Sequence, residues 1–223
     1  LTTDQEVTGS NPVGCTSTAG TAHRCPAPAP ASPVRIRTTS RGGATRSLEF
    51  AGVTLTEPKT PGPDAAEDER FMRIALEEAR LAAEVSDEVP IGAVVVVGGE
   101  VIARAHNQTR TETDPTAHAE LIAVRAAAQA LGSMRLVGAT VYTTVEPCFM
   151  CAGALSHARV ARVVWGVRDP KFGGCASLGE VLTDPRLNHQ VEWSEGVCAD
   201  EARELLQSFF RSKRAAKAAE PRD

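Results

Sequence analysis

The chain has 223 residues, of which 42% are hydrophobic and 23% charged, and a formal net charge of -4, a balance that suits one globular domain plus some chain that need not pack. No stretch approaches the ~20 apolar residues of a membrane span, the N-terminus lacks the basic start and apolar core of a signal peptide, and six cysteines are too few and too irregularly placed for a disulfide scaffold. A cytoplasmic protein with reduced thiols is therefore expected.

Residues 1 to about 66 hold Pro, Ala, Thr, Ser, Gly and Arg without a sustained apolar period, and Pro-Ala-Pro-Ala-Pro at 26–30 is a low-complexity run. That composition predicts a disordered N-terminal extension, with the domain over 67–223. Near Glu67 an acidic lead opens a helix whose apolar positions are Phe71, Ile74, Ala75, Ala79, Leu81, Ala82 and Val85, and acidic residues there suit the positive end of the helix dipole. Two β-branched runs, Ile91 to Val97 and Glu100 to Ala105, flank Gly98-Gly99 and read as a hairpin. A loop ending in Asp114-Pro115-Thr116 leads to His118 and an Ala-rich helix from Leu121 to Leu131. Thr140 to Val145 reads as a strand, Cys148 to His157 as a helix, Val160 to Trp165 as a strand, Gln190 to Trp193 as a short one, and Ala199 to Lys217 as a terminal helix. Its apolar side carries Ala202, Leu205, Leu206, Phe209 and Phe210. Strands alternating with helices predict a layered α/β domain.

The chemistry concentrates at two places. Pro147-Cys148-Phe149-Met150-Cys151 puts two thiols on one face of a helix's first turn, where both can bind one ion. The helix N-terminus favours thiolate, and Pro147 wastes no backbone donor there. His118, opening its own helix, can supply a neutral nitrogen as third ligand, and three protein ligands leave a fourth tetrahedral position for water, as in a catalytic zinc site. Such an ion makes hydroxide available near neutral pH, and Glu120, two residues beyond His118, can carry the protons that hydrolytic deamination requires.

Each signal alone is weak. Cys-x-x-Cys is often a structural zinc knuckle or a redox pair, and His-x-Glu alone means almost nothing. A structural site would want a fourth ligand. His157, the nearest candidate, lies about two turns along the same helix and reads as a surface or packing histidine. In this order, each at the mouth of a helix and preceded by strands, the signals reinforce one another.

The sequence resembles the zinc nucleoside deaminases, and within them the bacterial tRNA-specific adenosine deaminases, whose His-x-Glu and Pro-Cys-x-x-Cys signature is a known one. The resemblance covers about Arg70 to Arg214 and is carried by Val89-Pro90-Ile91-Gly92-Ala93-Val94, Asp114 to Glu120, Glu146 to Ala154, and Arg168-Asp169-Pro170-Lys171-Phe172-Gly173-Gly174. It implies a three-layer α/β/α, cytidine-deaminase-like fold with a central mixed five-stranded sheet, and one zinc per subunit on His118, Cys148 and Cys151. Glu120 matches the proton shuttle, and Asn107 the asparagine that holds the flipped nucleoside, although from the residues alone it is a strand-end turn residue. The resemblance further implies a homodimer acting on a tRNA anticodon stem-loop, converting the wobble adenosine to inosine.

Phe209, Phe210, Arg211, Lys213 and Arg214 resemble the family's C-terminal RNA-contacting helix, and are equally what an ordinary packed helix with a dipole-compensating C-terminus would show. From Glu67 onward 18 basic residues face 23 acidic ones, so a local basic patch of this kind is what RNA binding would need. Phe149 and Ser156 stand where family members usually carry other small or apolar residues. The alternative enzyme is a deaminase of a free base or nucleotide such as guanine, cytosine or deoxycytidylate, and the non-enzymatic alternative a zinc-stabilised RNA-binding module. Finally, Glu6-Val7-Thr8-Gly9-Ser10-Asn11-Pro12-Val13 resembles a tRNA gene's T-arm read as protein. Translation is therefore expected to start later, for instance at Val53, with residues 1 to about 52 adding nothing to catalysis. The competing reading is a genuine disordered extension that serves as an RNA-binding arm, since Arg35, Arg37, Arg41 and Arg46 are clustered.

Overall fold

A computed structural model describes residues 48–50, 53–55 and 65–219 of the chain. The expectation of disorder over the N-terminal extension falls largely outside the described residues, as does the T-arm-like segment. Among the described residues of that extension, β1 (Leu48–Phe50) and β2 (Val53–Leu55) pair antiparallel, Leu48 with Leu55 and Phe50 with Val53.

Helix α1 (Ala65–Glu84) starts two residues before the expected point, with Glu67 and Asp68 in its first turn. Its buried stripe is Phe71, Met72, Ala75, Leu76, Ala79 and Ala82, a helical spacing in which Met72 and Leu76 take the places expected of Leu81 and Val85. Those two are 43% and 77% exposed. The helix presses on strand β3 (Gly92–Val97) at Gly92, where a Cβ would lie 2.0 Å from the Ala75 carbonyl oxygen. Only glycine lets the two backbones approach so closely.

β3 turns at Gly98 and Gly99, both at positive φ (59° and 82°), into β4 (Glu100–His106), the left-handed pair that a two-residue hairpin demands. With β5 (Ala139–Val145), β6 (Arg162–Val167) and β7 (Glu192–Glu195) they form a sheet in the order β4-β3-β5-β6-β7. β3 pairs antiparallel with β4 and β5, while β5–β6 and β6–β7 are parallel. β6 and β7 each begin two residues later than expected. The reason is local: Val160 N–H bonds to Leu155 O and Val191 N–H to Leu182 O, so both residues finish loops before the ladder opens at Arg162 opposite Glu192.

All six residues of β3 are buried, yet they sort by parity, as a sheet covered on both faces requires. Ala93, Val95 and Val97 pack with Ala119, Ala123, Ala152 and Leu155, which belong to α2 (Ala119–Leu131) and α3 (Phe149–His157). Val94 and Val96 pack with Phe71, Met72 and Leu76 of α1 and Ala202 of α4 (Ala199–Ala219). The result is the expected three-layer α/β/α, cytidine-deaminase-like domain. Ala202 is the only residue of α4 that is fully buried; Leu205, Leu206 and Phe209 are half-covered and Phe210 is 43% exposed, so the terminal helix lies on the domain rather than in it.

Candidate active site

The site is built at two helix N-termini. His118 is the N-cap residue of α2 and Cys148 that of α3, each with extended backbone and neither capping with its own side chain, so imidazole and thiol are left for other work. Pro147 precedes Cys148, and Cys151 lies in the first turn of α3, fully buried. The His118 Nδ1 atom stands 3.7 Å from Cys148 Sγ and 3.5 Å from Cys151 Sγ, and the three donor atoms lie within 4.8 Å of one another, the only such group among the described residues.

These distances test the metal. Tetrahedral zinc with bonds of about 2.3 Å to sulfur and 2.0–2.1 Å to nitrogen requires S···N separations of about 3.6 Å, so the donors stand where zinc needs them. The electrostatics agree. Cys148 is pulled down to about 4 by the hydrogen bond from Cys151 and by His118, while Cys151 is pushed up by that same bond, by burial and by Glu120. One thiolate is thus already favoured beside the imidazole. Among the described residues no fourth protein ligand competes: His157 is exposed, as expected, and the buried Cys175 gives its thiol to Pro147 O at 3.6 Å.

Glu120 occupies the first turn of α2 and is 3% exposed, and its Oε2 is buried without a hydrogen-bond partner. Burial lifts its carboxyl to about 7. An unpaired buried carboxylate oxygen costs free energy unless something else is to meet it, and beside the His/Cys/Cys group it can take or give a proton.

Asn107 follows directly on β4, 4% exposed, and its Oδ1 accepts a hydrogen bond of 3.0 Å from the Ala119 N–H. It braces the residue after His118, so its side chain is engaged at the N-terminus of α2.

The terminal-helix residues are more engaged than the sequence suggests. Arg211 pairs with Glu204 at 2.6 Å, and Lys213 with Asp87 while lying 5.3 Å from the Phe209 ring centroid. Phe209 and Phe210 pack edge to face at 5.5 Å. Only Arg214 of the three basic residues lacks an ion pair among the described residues. With Lys171, Leu206, Gln207 and Phe210 it lines a cleft of about 320 Å³.

Two buried carboxylates, Glu88 and Glu146, brace loops in a way the sequence does not announce, although Glu146 itself lies in the stretch that carries the resemblance. Glu88, fully buried, accepts from the backbone N–H of Arg110 and Thr111, both at 2.7 Å, and from the hydroxyls of Thr109 and Thr111 at 3.1 Å. Glu146 does the same for the segment after β6. The signal for the bracing role is a charge set against the end of a buried strand, Glu88 just ahead of β3 and Glu146 just after β5.

A five-stranded mixed sheet with a His/Cys/Cys group and a buried glutamate at two helix N-termini defines a nucleobase-deaminase-type enzyme, and the profile of the MafB19-like deaminases matches residues 66–214. The chain is 49% identical over 153 residues to the tRNA-specific adenosine deaminase of Bacillus subtilis (strain 168), covering 69% of this chain and 94% of that protein. It is also 49% identical to the tRNA-specific adenosine deaminase of Agrobacterium fabrum over 149 residues, covering 67% and 97%. A structure solved in a study of A-to-I editing by tRNA:A34 deaminases at the wobble position of transfer RNA superposes with a TM-score of 0.59 at 48% identity, covering 61% of this chain and 99% of that one. The chain belongs to the tRNA-specific adenosine deaminase family.

Proposed function

We propose that this protein hydrolyses the wobble adenosine of tRNA to inosine. The observation that carries the reading is the orphaned, buried Oε2 of Glu120 beside three donors at zinc spacing. His118, Cys148 and Cys151 would hold one zinc, which supplies a Lewis acid that makes water nucleophilic at neutral pH. Glu120 Oε2 accepts one proton from the attacking water and delivers it to ring N1 as the C6–O bond forms; it then carries the proton of the C6 hydroxyl to the amine, so that the C6–N bond breaks, ammonia leaves and the C6 carbonyl of inosine remains. Asn107, its Oδ1 committed to Ala119, keeps its Nδ2 donors for the nucleoside. Among the described residues no helix is long and apolar enough to cross a membrane, and we place the enzyme with its tRNA in the cytoplasm. The half-exposed Phe149, Met150 and Leu178 offer an apolar surface beside α3 for the partner subunit of a homodimer. Residues 1 to about 52 lie ahead of the matched span, and on this reading they add nothing to catalysis.

An anticodon stem-loop with adenosine at the wobble position is expected to be converted to inosine, with little turnover of free adenosine. Preferred turnover of free guanine, cytosine or deoxycytidylate over the stem-loop would transfer the function to the free-base alternative.

Because Arg211 and Lys213 already have acidic partners, phosphate contact at the terminal helix should fall mainly to Arg214, with Lys171 across the cleft. Changing these two to Ala is expected to reduce the slope of log K against log salt by about 0.7–0.9 for each phosphate that is no longer neutralised. Binding of the stem-loop between low and physiological salt measures it. An unchanged slope would place the RNA footprint elsewhere.

A further inference from the structure

Glu146 is 2% exposed and forms no ion pair among the described residues. Its charge is met by one loop. Oε1 accepts from the backbone N–H groups of Cys175 at 3.1 Å, Ala176 at 2.7 Å and Ser177 at 2.9 Å, and Oε2 accepts from the Asp169 N–H at 3.1 Å and from the Ser177 hydroxyl. A carboxylate taken out of water is tolerated only where such donors surround it, so the buried charge and the course of the loop specify each other.

The fit is steric as well. A Cβ on Gly173 would lie 2.4 Å from Glu146 Cδ, and one on Gly174 2.8 Å from the Phe149 backbone nitrogen. Gly174 N–H donates to Pro147 O at 2.9 Å, and Gly173 bridges Cys148. The loop is thereby laid flat along the turn that carries the metal ligand Cys148. What it presents outward is the crest Asp169-Pro170-Lys171-Phe172. That crest is folded by Asp169 Oδ1, which accepts from the N–H groups of Lys171 at 2.9 Å and Phe172 at 3.3 Å. Phe172 is 66% exposed, and Lys171 faces the cleft with Arg214.

We infer that Glu146 is a positioning residue for substrate: it fixes the Asp169–Phe172 crest to the Cys148 turn and so sets the RNA-facing wall relative to the reacting centre. This rests on the RNA reading above. The division of labour between its oxygens makes the inference testable with E146Q. A glutamine can keep its carbonyl oxygen on the three amides of 175–177, but its NH2 group then faces the Asp169 N–H, donor against donor. The Ser177 hydroxyl can turn to accept, whereas Asp169 cannot. The crest is released while the rest of the loop is held.

E146Q is therefore expected to raise KM for the anticodon stem-loop about tenfold, the equivalent of 1.4 kcal/mol, with kcat within about twofold and zinc per chain unchanged. Hydrogen exchange should quicken in the 168–174 peptide and not in 175–178. An unchanged KM would overturn the inference, and so would a joint fall of kcat and zinc content, which marks a merely structural residue. If wild type deaminates no stem-loop, the RNA reading fails on its own; exchange then decides for Glu146, and identical rates in variant and wild type overturn the clamp. Should E146Q not fold, S177A removes a single donor to Oε2 and is expected to raise KM in the same sense by a smaller factor. No rise there would also overturn the inference.

Discussion

Glu120→Gln is expected to keep the fold and the zinc and to lose deamination by about 10²–10⁴-fold, the range for removing a positioned acid–base group. The substitution is nearly isosteric in a site that is 3% exposed, and Glu120 is outside the group of donors that can hold the metal, so neither packing nor ligation explains the loss. Stability need not fall. The wild-type side chain buries an oxygen with no partner and has its carboxyl lifted to about 7 by burial; a neutral amide there is spared that desolvation. Metal content by atomic emission and inosine yield from the same preparation check the two halves together. A variant that forms inosine at near wild-type rate would remove Glu120 from the proton path. One that loses zinc would make it a ligand.

The catalytic pair of motifs is readable from the sequence because their chemistry is local. Pro147 ahead of Cys148, and the Asp114-Pro115-Thr116 turn ahead of His118, mark the helix starts in the chain itself, and the structure puts both residues at the N-caps. The zinc spacing then follows from one turn of helix and one long-range contact. The α1 face is less readable. Leu81 and Val85 fit a helical period as well as Met72 and Leu76 do, and which stripe is buried is decided by Gly92, whose missing side chain lets α1 settle at Ala75 and Ala79. Periodicity gives a helix its amphipathic faces only to within a residue or two when alanines outnumber large side chains.

The loop-bracing roles of Glu88 and Glu146 are unreadable for a different reason. Their partners are backbone N–H groups of loops, in one case 22 and 23 residues away and in the other 23 to 31, and a backbone donor has no signature in the sequence. The same holds for the terminal helix. Its basic residues announce a patch, while the acids that neutralise Arg211 and Lys213, Glu204 and Asp87, include one that only the tertiary fold brings near.

Cys148→Ala is expected to abolish stoichiometric zinc binding and to destabilise the domain, and the two effects should have one cause. Removing this thiol leaves His118 and the buried Cys151, two ligands where catalytic zinc sites have three. It also removes the one thiol that its neighbours pull down to about 4, leaving only Cys151, which burial and Glu120 push up, so a metal must displace a proton from a reluctant thiol to bind. An ion that binds only the folded state at about a thousandfold above its Kd contributes about 4 kcal/mol, on the order of ten degrees in Tm for a domain of this size. Chelation of the wild-type protein should produce a loss of that order by itself, and the same chelator should leave the Tm of C148A unmoved, because the variant has no bound ion to surrender. Added zinc should raise the wild-type Tm and not the variant's. The Ala side chain at an N-cap that makes no side-chain capping bond forfeits little helix stability of its own, so the chelated wild type and C148A are expected to melt within a few degrees of each other. Full zinc occupancy in C148A would break the ligand set. A variant that melts far below the chelated wild type would instead show that Cys148 holds the α3 turn in place by packing, with the metal a lesser contributor.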